Sequence, residues 1–139
     1  SVKPVLIVVE PKAHRRLKLV ASLRETFQVE PLLSLDSALR QIRSVRPAVV
    51  LIGLGRRPAP GTRLARQIKT DANTTAMVGL IDWSGRLENP EACIRDTGSD
   101  GLFHGTPSAT QAQAFVDALN ASTPSIHGEP KAGLFRRRS

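Results

Sequence analysis

The chain has 139 residues, 40% of them hydrophobic and 23% charged, which suffices for one domain with a real core and is ordinary for a globular protein. Twenty Lys and Arg against twelve Asp and Glu give a formal charge of +8; this admits nucleic acid, anionic lipid or an acidic protein patch as partners, beside the plainer reading of a basic chain kept in solution by its charge. The apolar runs, such as Val5 to Val9, are too short to span a bilayer, no leader with a cleavage site opens the chain, and the single cysteine, Cys93, forms no internal disulfide and suits a reducing, cytoplasmic compartment.

Val5 to Val9 is a continuous aliphatic run, the pattern of a strand buried on both faces. A helix follows, with Leu17, Val20, Ala21, Leu23 and Arg24 forming an apolar stripe with a basic edge. Phe27 to Leu33 reads as a second strand, and Pro31 places it at a sheet edge. Asp36 or Ser34 caps the next helix, whose apolar positions are Leu35, Ala38, Leu39 and Ile42. Ala48 to Leu54 is again continuously apolar, a third strand. The loop from Gly55 to Gly61 leads into a helix carrying Leu64, Ala65 and Ile68, and Met77 to Ile81 is the fourth strand.

Asn89-Pro90 is a helix start, because proline at the first helical position loses no hydrogen bond. That helix runs to Thr97, and Gly98 suits the left-handed position that ends it. Leu102 to His104 is a short fifth strand, and Ser108 with Gln111 forms a capping box before a last helix containing Ala112, Phe115, Val116 and Leu119. Five strands alternating with five helices predict an α/β domain: a doubly wound, five-stranded parallel sheet of flavodoxin-like architecture. After Ala121 the pattern stops, and Pro124, Gly128, Pro130 and Gly133 mark 122–139 as a flexible basic tail or linker.

Four stretches carry a family resemblance. Val5-Leu6-Ile7-Val8-Val9-Glu10-Pro11, Arg46-Pro47-Ala48-Val49-Val50-Leu51-Ile52-Gly53, Pro60-Gly61 and Gly98-Ser99-Asp100-Gly101 resemble, in order and spacing, the landmarks of bacterial response-regulator receiver domains. The resemblance covers about Pro4 to Asn120, so that 1–121 is expected to be a receiver-like domain. It implies a site in which an aspartate is the phosphoryl acceptor, two further acids help to hold Mg²⁺, a hydroxyl and a lysine stabilise the phosphoryl group, and an aromatic on the fifth strand reports the switch. On this chain the acceptor position falls on Gly53. The acidic pair is reduced to Glu10, with Pro11 in the second place, and the hydroxyl position falls on Ile81. The lysine's place is taken by Gly105 or Thr106, and the aromatic position by Leu102 or Phe103. Asp82, at the end of the fourth strand, is the other carboxylate available for a weak cation site. With every catalytic position altered, the resemblance implies a degenerate pseudo-receiver: not an enzyme, with no metal, no cofactor and no phospho-switch.

What remains is a docking surface. Receivers signal mainly through the face made by the fourth helix, fifth strand and fifth helix, which here draws on Glu91, Arg95, Phe103, His104 and Gln111; Phe103 and Phe115 also have the spacing of core residues. Trp83 is either a binding anchor beside that face or a lid over the vacated pocket. His14, Arg15, Arg16 and Lys18, with Arg56 and Arg57, gather at the carboxyl ends of strands, where an anionic ligand or acidic partner docks in open α/β sheets, unless they are simply a solvated helix face and loop. His104 and His127 have no metal-ligand spacing with each other or with Cys93, which argues against zinc. The expected role is a phosphorylation-independent protein–protein interaction or regulatory module in bacterial signalling, with homodimerisation through the same face. The rival is a nucleic-acid-binding accessory domain using the basic surface and Arg136 to Arg138; no helix-turn-helix signature supports it, and aromatic residues are scarce. Ser1-Val2 reads as a cut point in a longer chain.

Overall fold

Three aliphatic runs build the centre of the sheet. In the structure, a computed structural model that describes residues 2–121 and 134–135, these are β1 (Val5–Val9), β3 (Val49–Leu54) and β4 (Met77–Asp82). All of β3 and β4 is buried, as is β1 after its first residue. Such strands need apolar side chains on both faces, which is why they read as unbroken runs. The flanking strands are β2 (Gln28–Leu32) and β5 (Gly101–Phe103). Helices α1 (Ala13–Leu23), α2 (Ala38–Val45), α3 (Ala59–Thr70), α4 (Pro90–Thr97) and α5 (Ala109–Asn120) alternate with them. The order is β2-β1-β3-β4-β5, all parallel, with β2 at the edge that its proline requires. Leu134–Phe135 form β6, antiparallel to β5 in the register Gly101 with Phe135 and Leu102 with Leu134. The expected tail otherwise lies outside the described residues.

Alternation along each strand divides the core in two. Leu6, Val8, Leu51, Ile81 and Phe103 face Leu19 and Leu23 of α1 and Phe115 of α5. Ile7, Val9, Val50, Ile52 and Leu80 face Ile42, Leu64, Ile68 and Ile94 of α2 to α4. The fifth strand joins by polar contacts as well: Asp100 donates its N–H to Val78 O at 2.7 Å, while its carboxylate accepts Val78 N–H and Lys69 Nζ, both at 2.8 Å. Asp100 is thus a buried carboxylate with its donors in place.

The helix ends follow their sequence signals at α4 and α5. Asn89 accepts Ala92 N–H at 3.0 Å, Gly98 closes α4 at φ 76°, and Ser108 and Gln111 make the reciprocal capping box. Three expectations are corrected. The buried residues of α1 are Leu19 and Leu23, four apart, so Leu17 and Ala21 point outward and Leu17 is 68% exposed. Neither Asp36 nor Ser34 caps α2: the helix begins after Ser37, and Ser34 Oγ instead accepts Asp36 N–H in a local turn. The third loop ends at Pro58, because Pro60 and Gly61 are compatible with the first turn of α3 and occupy it.

Gly79 is closely packed within the sheet. A Cβ there would lie 2.6 Å from Leu51 Cδ2 and 3.0 Å from Phe115 Cζ, so Gly79→Ala overpacks the core. It is expected to lower stability by about 1–3 kcal/mol, read as a reduced urea midpoint with unchanged slope.

Candidate functional site

The carboxyl ends of β1, β3 and β4 meet at one edge of the sheet, where open α/β domains place their ligands. Three residues from these ends converge. Glu10 follows β1 and is held down by its own N–H donating to Leu32 O at 3.0 Å. Gly53 lies in β3, in register with Ile81 of β4. Trp83 follows β4 immediately.

Glu10 is 2% exposed, and a carboxylate so placed needs donors. Trp83 Nε1–H donates to Oε1 at 2.8 Å, and the Lys12 backbone N–H donates to Oε2 at 2.9 Å. A Cβ built on Gly53 would overlap Glu10 Oε1, and would stand 2.8 Å from Glu10 Cδ and 3.0 Å from Trp83 Nε1. The carboxylate and the indole therefore fill the volume that an acceptor side chain at position 53 would enter. Arg15 lies over the outer side of the assembly, its guanidinium carbon 5.2 Å from the Trp83 ring centroid, a cation–π contact. Arg16 Nη1 donates to the carbonyls of Glu10 and Pro11 at 2.8 and 3.1 Å. Trp83 is half-buried against the α1–α5 side of the core with its indole N–H on Glu10, the arrangement a lid over the pocket would have.

The remaining positions are equally altered. Ile81 is fully buried and supplies only methyl groups. Gly105 borders open space, Thr106 is half-buried, and the following Pro107 carbonyl accepts Ser22 Oγ–H at 2.7 Å, tying the loop to α1. The aromatic position, left between Leu102 and Phe103, divides cleanly: Leu102 faces α2 to α4, and Phe103 faces α5 with its ring 5.5 Å from Phe115. Phe103 is 2% exposed, so it is withdrawn from the candidate partner surface. Glu91, Arg95 and His104 are exposed, and Gln111 is half-buried in the capping box. Of the basic set, Arg15 and Arg16 are engaged at the closed pocket, while Lys18, Arg56 and Arg57 stand in solvent.

Mg²⁺, which the receiver architecture would require, does not fit these residues. Glu10 brings one carboxylate whose two oxygens each already accept an N–H, and Gly53 and Ile81 add no side-chain oxygen, whereas Mg²⁺ takes an octahedron of oxygens anchored by carboxylates and phosphate. Asp82, 3% exposed, accepts the N–H groups of Arg86 and Leu87 at 3.1 and 3.2 Å and so organises the turn into α4. Among the described residues no three His, Cys, Asp or Glu side chains gather as metal ligands. At Cys93, burial first and then the nearby Asp96 and Asp82 carboxylates push the thiol up.

The sequence offers Trp83 as one of two readings, a lid over the pocket, but not its bond to Glu10, which joins residues 73 positions apart. The one available signal was the tryptophan itself, directly after the fourth strand.

No protein-family model matches the chain, and no curated protein matches it. Solved structures do. A CheY-like response-regulator receiver domain from Methylobacillus flagellatus superposes with a TM-score of 0.70 at 16% identity, over 86% of this chain and 100% of that one. The chemotaxis response regulator CheY4 of Vibrio cholerae gives 0.67 at 12% identity, over 84% and 98%. The N-terminal domain of a response regulator receiver protein from Methanoculleus marisnigri gives 0.61 at 18% identity, over 88% and 98%. The chain has the receiver fold.

Two substitutions probe the closed pocket. Trp83→Phe keeps the ring but leaves a buried carboxylate oxygen without its donor, and should cost about 1.5–3 kcal/mol of unfolding free energy. Gly53→Ala should destabilise the wild type yet cost much less in a Glu10→Ala background, a coupling of about 1–3 kcal/mol in a denaturation double-mutant cycle.

Proposed function

We propose that this domain is a phosphorylation-independent pseudo-receiver, a protein–protein interaction or regulatory module of bacterial signalling that performs no chemistry of its own. The observation that carries the reading is the occupation of the acceptor volume by Glu10 and Trp83 above Gly53. Phosphoryl transfer works by positioning a nucleophile in line and neutralising charge with Mg²⁺ and a cation. Here the nucleophile has no side chain, the carboxylate next to it is already bonded, and the hydroxyl and lysine places hold Ile81 and either Gly105 or Thr106.

Signalling then rests on a preformed surface. The α4–α5 side offers Glu91, Arg95 and Asp96 on one helix, Asp117 on the other, and His104 at the end of β5, all exposed. With three carboxylates and one guanidinium, this face is suited to a partner with a basic patch. A two-component setting in the cytoplasm follows from the same reading, as does pairing of two copies through this face. Among the described residues no helix is long and apolar enough to cross a membrane.

The test is an amide NMR titration of the full chain with Mg²⁺ and beryllofluoride, which mimics an aspartyl phosphate. Unchanged resonances for Glu10, Gly53 and Asp82 at millimolar Mg²⁺ are expected. Saturable shifts centred on those residues would show a working phosphoryl site and overturn the reading.

A further inference from the structure

Charge is divided unevenly among the helices. α1, α2 and α3 contain no Asp or Glu at all, whereas α4 carries Glu91 and Asp96 and α5 carries Asp117. α2 and α3 are neighbours on the same face of the sheet, with Ala38 and Ile42 of one and Leu64, Ala65 and Ile68 of the other turned into the core. Their exposed rows are Arg40 and Arg43 on α2 and Arg63 and Arg66 on α3, interleaved with Gln41, Ser44, Gln67 and Thr70. Arg56 and Arg57 extend the band from the loop that enters α3.

Little opposes this charge. Asp71 takes Arg43 at 2.6 Å, and Arg66 Nε reaches the Asp96 carbonyl at 3.5 Å. Asp36 lies two residues before α2. Among the described residues the side chains of Arg40, Arg56, Arg57 and Arg63 have no hydrogen-bond or ion-pair partner. The band also lacks an apolar centre: among the described residues the exposed large hydrophobic ones are Val2, Leu17 and Leu33, none of them on α2 or α3.

We propose that the outer face of α2 and α3 binds the phosphate backbone of nucleic acid, without reading its sequence. Guanidinium groups suit phosphate because their planar donors engage two oxygens at once. Six exposed arginines with no exposed large apolar side chain among them make the phosphate backbone the partner this face fits best, because its recognition rests on charge. The surface lies on the opposite side of the sheet from α5 and stands independently of the pseudo-receiver reading, which concerns the edge pocket.

The experiment is fluorescence anisotropy of a fluorescein-labelled 20-base-pair duplex titrated with the full chain. If about five phosphates are neutralised, raising NaCl from ~50 to ~200 mM should weaken binding roughly 500-fold. The double substitution Arg40→Glu with Arg63→Glu should weaken it at least roughly tenfold at the lower salt. Substituting Arg136, Arg137 and Arg138 by Ser should leave it within about threefold, since non-specific affinity follows the number of phosphates contacted. Thermal melts confirm that both variants fold, with Arg40→Gln and Arg63→Gln held as the milder pair. Absence of wild-type binding at the lower salt overturns the proposal, as does an equal or larger loss in the Arg136–Arg138 variant. Equal binding of a polyglutamate chain of matched charge also overturns it, by assigning the face to acidic protein.

Discussion

A carboxylate shut away from water must find donors within the protein, and at the end of β1 the Glu10 side chain finds two: the Trp83 indole N–H and the Lys12 backbone N–H. The rest of the edge is arranged around that requirement. Trp83 is drawn inward over the strand ends, its ring becomes the platform for Arg15, and the Arg16 guanidinium closes the turn beneath by binding the carbonyls of Glu10 and Pro11. Gly53 completes the arrangement by lacking a side chain, since even a methyl group there would collide with Glu10 Oε1. In a receiver fold this volume belongs to the acceptor, and in this chain it has become part of the packed interior.

The fold tolerates that exchange because its stability lies elsewhere. The two layers of core contacts run through β1, β3 and β4 and the inner rows of the helices, with Phe27, Phe103 and Phe115 as the bulkiest buried side chains. None of these contacts depends on an acceptor aspartate or a bound cation. Polar anchors add to this: Asp100 with Lys69 and Val78 ties β5 to β4, and Asp82, beside the pocket, shapes the turn into α4. The architecture therefore stands without such groups, and it presents acidic residues on the α4–α5 side and arginines on α2 and α3.

Most of this architecture was legible from residue order. Strands buried on both faces announce themselves as aliphatic runs, Asn89-Pro90 and Ser108 with Gln111 are local signals whose geometry needs no distant partner, and Gly53 at an acceptor position is visible once the third strand is aligned. The illegible parts are those decided by tertiary contact. Helix α1 carries apolar residues at 17, 19, 20, 21 and 23, and only packing on the sheet selects Leu19 and Leu23 over Leu17. Phe103 satisfies both a surface and a core reading until β5 is placed against α5. The direction of Trp83 depends on a carboxylate 73 residues away, and the arginine band depends on α2 lying beside α3. Leu134–Phe135 is too short a pair to show any periodicity.

Trp83 is the only tryptophan in the chain, so its indole N–H gives one unambiguous resonance, and its hydrogen-exchange rate is the most direct measure of the closed pocket. With Nε1–H bonded to Glu10, exchange should be slowed well beyond roughly tenfold relative to a free indole, and Glu10→Ala should restore the free rate, as expected when a protecting hydrogen bond is removed. A free-indole rate in the wild type, unchanged by Glu10→Ala, would mean that the pocket stands open and that the account of a sealed, silent receiver fold is wrong.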